Sequence, residues 1–66
     1  MNKVRSFRTG LGYSQEDMAK ALDISTTAYR YKENGDKPFT QDEMIKFLNE
    51  VKKTDKTATL DLIFLK

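Results

Sequence analysis

Apolar positions recur with the helical period along most of this 66-residue chain. Val4, Phe7 and Leu11 fall at i, i+3 and i+7, one face of a helix. The spacing predicts a first helix near residues 2–10, with Gly10 and Gly12 marking its end. Ser14 is a good N-cap, and Gln15, Glu16 and Asp17 follow it. Acidic residues in a first turn suit the helix dipole. Met18, Ala19 and Leu22 then form a buried face, so a second helix is expected over about 15–22. Ser25 can cap a third helix that runs to about Asn34 and stops at Gly35. Residues 36–39 read as a loop. Thr40-Gln41-Asp42-Glu43 is a capping box, in which the threonine hydroxyl serves the N3 amide and the glutamate reaches back. Met44, Ile45, Phe47, Leu48 and Val51 follow, the strongest amphipathic signal in the chain, and predict a helix over about 41–52.

Residues 52–57 are a polar connector. The tail is ambiguous. Thr59 could cap a short helix, whereas Leu60, Leu62 and Phe64 alternate with the period of a strand. A short helix packed on the first and fourth helices is the preferred reading, which makes the chain all-α. The run from Leu62 to Leu65 reads as core, with a dimer contact as the alternative.

Residues 14–35 form two short helices joined by a tight turn. That is the layout of a helix-turn-helix, which presents its second helix to the DNA major groove. Ala19 lies where the helices approach, and a larger side chain there would push them apart. Leu22, Ile24 and Tyr29 are apolar where the pair must face a core. Asp23 occupies the turn, where a positive φ is usual and Asp tolerates it at modest cost. An ordinary helical hairpin would satisfy the same spacing.

Length and composition narrow the options. The chain is read as one domain over 1–66, which buries only about 60% of its unfolded surface and is marginal alone. There is no Cys and no His. No disulfide or thiolate metal site can help, so packing and dimerisation must supply stability. The first residues contain no apolar stretch of the kind a secretory signal needs, and no run approaches the ~20 apolar residues of a membrane span. A cytoplasmic protein without membrane contact is expected. The net charge of +2 does not by itself name nucleic acid as partner.

No catalytic residue, cofactor or metal is expected either. Histidine, cysteine and a phosphate-binding loop are all missing. The adjacent carboxylates Glu16-Asp17 and Asp42-Glu43 sit in first turns, which accounts for them. Glu33-Asn34-Gly35-Asp36 resembles part of a calcium loop but lacks the remaining ligands, and reads as a turn.

Further residues make the pattern more specific. They are Phe7-Arg8, then Gly12-Tyr13-Ser14-Gln15-Glu16-Asp17-Met18-Ala19, Leu22-Asp23-Ile24-Ser25, Glu33-Asn34-Gly35 and Lys37-Pro38. Over about residues 3–51 the chain resembles the lambda-repressor/Cro type of helix-turn-helix. The resemblance implies a compact bundle of four or five helices, usually dimeric on DNA. It implies that Gln15 contacts a phosphate and braces the groove-facing side chains. Thr26 and Thr27 would point at base edges, and Arg30 and Tyr31 would lie one turn on, near bases or backbone. Asn34, Gly35 and Lys37 would meet phosphate. Arg8 and Glu33 match positions that pair as ions in some relatives, a structural role.

Two positions depart from that pattern. Lys32 stands where relatives carry an apolar residue. Its stem could cover the core while the ammonium reaches water, or Tyr31 could take over that packing and leave the groove. The third helix also has no Gln or Asn between Thr26 and Glu33, so specificity would rest on Arg30, threonine contacts or DNA shape. Thr26 and Thr27 could equally be plain first-turn residues, and Arg30, Lys20 and Lys37 solvated charges.

The expected function is sequence-specific DNA binding by a small Cro-like repressor of a phage or mobile element, dimeric on a palindromic operator. The alternative is an antitoxin- or antirepressor-like module that uses the same fold to bind a protein.

Overall fold

The computed structural model describes residues 2–65. Five helices follow in order: α1 Lys3–Gly10, α2 Gln15–Leu22, α3 Thr26–Glu33, α4 Gln41–Lys52 and α5 Leu60–Phe64. No strand occurs among the described residues, and the tail is the short helix.

Every start is fixed by a side chain of the expected kind. Asn2, Ser14, Ser25, Thr40 and Thr59 each accept a hydrogen bond from the backbone N–H three residues on. Asn2 is therefore the cap of α1 and not its first residue. Ser14 with Asp17, and Thr40 with Glu43, close reciprocal capping boxes. The stops are equally local. Gly12 and Gly35 adopt φ of +78° and +89°, which a side chain would resist. Asp23 does the same work between α2 and α3 at φ 60° and ψ 42°.

The core gathers Met18, Ala19 and Leu22 of α2, Tyr29 of α3, Phe47 and Val51 of α4, Ala58 just before α5 and Ile63 of α5. Helix α2 packs on α3 and α4, while α5 lies against α1 and α4. Phe39, on the α3–α4 loop, meets the rings of Tyr29, Phe47 and Phe64 edge-on, at centroid separations of 6.1, 6.3 and 5.3 Å. That loop is thus anchored in the aromatic core.

Ile45 departs from its expected place. It lies 43% exposed while Phe47 and Val51 are buried. One residue on from Met44 rotates it about 100° around the axis, off the buried stripe. The tail run also divides: Ile63 is core, whereas Leu62 and Leu65 face outward.

Asp23 combines a left-handed backbone with a negative charge at a helix C-terminus, both unfavourable. Asp23→Gly should raise stability by about 1 kcal/mol, or roughly 4–8 °C in Tm. A lower urea midpoint would contradict this account of the turn.

Candidate nucleic-acid interface

The third helix is held from behind by a buried ion pair between Arg8 and Glu33. Arg8 Nε donates to Glu33 Oε2 at 2.7 Å and Nη2 donates to Oε1 at 3.2 Å. The side chains are 9% and 1% exposed. The remaining arm of Arg8 donates to the Tyr13 carbonyl at 2.7 Å, which fixes the loop entering α2. The Asn2 side-chain Nδ2 donates to the Glu33 backbone carbonyl at 2.7 Å, so the end of α3 is also tied to the residue that caps α1.

Burial pushes the Glu33 carboxyl up, but donors from Arg8 and Gln15 outweigh it and hold the group below its usual range. Arg8 is raised, first by that hydrogen bond to Glu33. The Tyr29 hydroxyl is buried beside the pair, and no acceptor meets it in hydrogen-bonding geometry. Burial is the main reason its pKa rises.

From the buried carboxylate a polar chain runs to the surface. Gln15 Nε2 donates to Glu33 Oε1 at 3.3 Å, and Gln15 Oε1 accepts from Arg30 Nε at 3.1 Å. The first residue of α2 thus connects the interior to an exposed arginine of α3. Thr27 is exposed on the same helix and Thr26 is half-buried. Ser25 makes the cap, accepting from the Ala28 amide. Among the described residues no hydrogen bond occupies either threonine hydroxyl.

At the far end of α3, Asn34 is an exposed C-cap, and the amides of Asp36 and Lys37 both donate to the Tyr31 carbonyl. Tyr31 is 46% exposed, and Lys37 Nζ stands 5.4 Å from its ring centroid. Tyr31 therefore does not take over core packing. Lys32 does not send its ammonium into water either. It lies 2.6 Å from both oxygens of Glu43, a pairing that residue spacing did not suggest. The exposed groups Arg30, Tyr31, Asn34 and Lys37 stay with α3 and its following loop, and Gln15 adjoins them through Arg30.

The geometry is two short helices packed on each other, with Ala19 of the first buried and the second braced through Glu33 and Gln15. Comparison with known proteins agrees. The helix-turn-helix family HTH_3 matches residues 4–54. The chain belongs to that family. This helix-turn-helix protein is of the Cro/lambda-repressor type, and α2 and α3 are its motif. Membership makes it a DNA-binding regulator. No match was found among curated proteins or solved structures.

For a helix-turn-helix protein of this size, total stability is of order 3–10 kcal/mol. Leaving one buried charge without its partner costs about 3–5 kcal/mol. Glu33→Ala should therefore remove a large share of that margin and lower Tm by more than about 10 °C. The double variant Arg8→Met/Glu33→Leu should regain most of that loss, because neither charge remains buried alone. A Glu33→Ala protein with an unchanged melt would contradict this view of the pair.

The acid side follows from the same groups. Glu33, Glu43 and Glu50 are all held below the ordinary 4.5. For Glu33 and Glu43, burial opposes the shift and donors overcome it. For Glu50 the hydrogen bond from Tyr13 leads. Their contribution is complete above that value and is lost as pH falls through the lower folded-state values. Urea titrations should show stability declining only below about pH 4.5. A gain in stability on acidification would overturn the sign.

Proposed function

We propose that the chain is a sequence-specific operator-binding repressor, Cro-like and of phage or mobile-element type, acting as a two-fold dimer. The single observation that carries this reading is the hydrogen-bonded chain from buried Glu33 through Gln15 to exposed Arg30. It holds a guanidinium in place on the outward face of α3 before any ligand arrives. Ordering a long cation in advance reduces the entropy lost on binding, and an ordered arginine suits guanine in the major groove.

The other roles follow from position. Gln15 braces Arg30, while backbone amides in the first turn of α2 and the exposed edge of Gln15 serve phosphate. Thr26 and Thr27 offer hydroxyls and methyls to base edges. Tyr31, Asn34 and Lys37 form a donor cluster for the DNA backbone after α3. Arg8 and Glu33 stay structural. The domain over 1–66 catalyses nothing and uses no cofactor; it works in the cytoplasm by occupying an operator, and responds to its own concentration.

Two-fold binding needs recognition helices on one side of the duplex, about one helical turn apart. The outward Leu62 and Leu65 of α5 supply apolar surface of the kind such a contact uses.

A gel shift on the promoter region beside its own gene tests the proposal. Wild type should retard the duplex in a sequence-dependent way. A folded Thr26→Ala/Thr27→Ala/Arg30→Ala variant should lose that selectivity, and at about 1–3 kcal/mol per good base contact the affinity for the site should fall by at least tenfold. Binding that is sequence-blind and vanishes with moderate salt would instead support a protein-binding role, as in an antitoxin or antirepressor.

A further inference from the structure

The Lys32–Glu43 pair is absent from the roles above, and it joins two elements that matter to them. Lys32 projects from the inner side of α3 and Glu43 from the first turn of α4. Their side chains are 14% and 10% exposed. Glu43 does double duty. Its Oε1 accepts from the Thr40 amide at 2.9 Å, closing the α4 capping box, and both of its oxygens accept from Lys32 at 2.6 Å.

The segment between the two helices is therefore clamped at each end. Asp36 and Lys37 amides on the Tyr31 carbonyl fix its beginning. The Thr40–Glu43–Lys32 cluster fixes its end, and Phe39 is inserted among the core rings between them. Lys37, with its ammonium over Tyr31, rides on this segment.

We propose that Lys32 is a positioning residue for DNA binding: by pairing with Glu43 it sets the α3–α4 loop, and the Lys37 cation on it, against the end of the recognition helix. The inference rests on the reading that Asn34 and Lys37 meet phosphate. Lys32 itself touches no DNA, because its ammonium is spent on Glu43 behind the helix.

The decisive variant is Glu43→Gln. Glutamine at this position still suits a capping box, but it removes the anion that holds Lys32. It also raises the net charge from +2 by one. Simple attraction to a polyanion would then tighten binding. Loss of the clamp works in the opposite direction. Binding is read by fluorescence anisotropy on the promoter duplex across a range of salt, for wild type, Glu43→Gln and Lys32→Met, each checked by thermal melt.

The expected result is weaker binding by both variants, about tenfold, with a salt slope reduced by about one phosphate contact. A Glu43→Gln variant that binds as tightly as wild type, or more tightly, overturns the role of Lys32. A wild type that binds no duplex overturns the functional reading instead. Should neither variant fold, the wild-type protein still decides by NMR. Slowly exchanging Lys32 ammonium protons and a protected Thr40 amide support the clamp, and rapid exchange at both overturns it.

Discussion

The buried contact between Arg8 and Glu33 is the constraint on which the rest depends. Two charges that deep are tolerated because each is satisfied several times over: Arg8 by Glu33 and the Tyr13 carbonyl, Glu33 by Arg8 and Gln15. Such a pair adds little net stability compared with a well-packed apolar substitute. What it adds is geometry. An apolar core at the same place could hold α1 against α3, but it could not direct Gln15, and through Gln15 it could not direct Arg30. The surface proposed to meet DNA is in this sense specified from the inside.

A small domain has few ways to hold a recognition helix still. This one uses caps at every helix start, a left-handed residue after each of α1, α2 and α3, and a half-buried aromatic residue of the α3–α4 loop packed on three other rings. These devices are mostly local, and the chain folds into short helices that need them. Long-range polar bonds then lock the parts together, including Tyr13 Oη donating to Glu50 at 2.7 Å across 37 positions of sequence.

What was legible in the sequence divides along the same line. Ser14, Ser25, Thr40 and Thr59 announce their helices because a cap acts over three residues. Asp23 betrays the turn because few side chains accept that backbone. The pair Arg8 and Glu33 was legible only through resemblance, since nothing in a 25-residue separation demands it. Lys32 shows the limit most clearly. Its position, apolar in relatives, suggested a stem laid on the core, yet its partner Glu43 already had an assigned task in the capping box, and only the return of the loop brings the two together. Ile45 was misplaced for a simpler reason: five apolar residues in eight make a stripe wider than the core can cover. The tail could not be decided from period alone, because five residues satisfy a strand and a helical turn equally well.

The most direct measurement of the central claim is an NMR titration of the folded protein with its own promoter duplex, following backbone amides and the Arg30 Nε–H. The account predicts that the perturbed signals cluster at Gln15, residues 26–31 and residues 34–37, with the Arg30 Nε–H already protected from exchange before DNA is added. Perturbations confined to α5 and the outer face of α4, or an Arg30 side chain that is freely exchanging in the unbound protein, would contradict it.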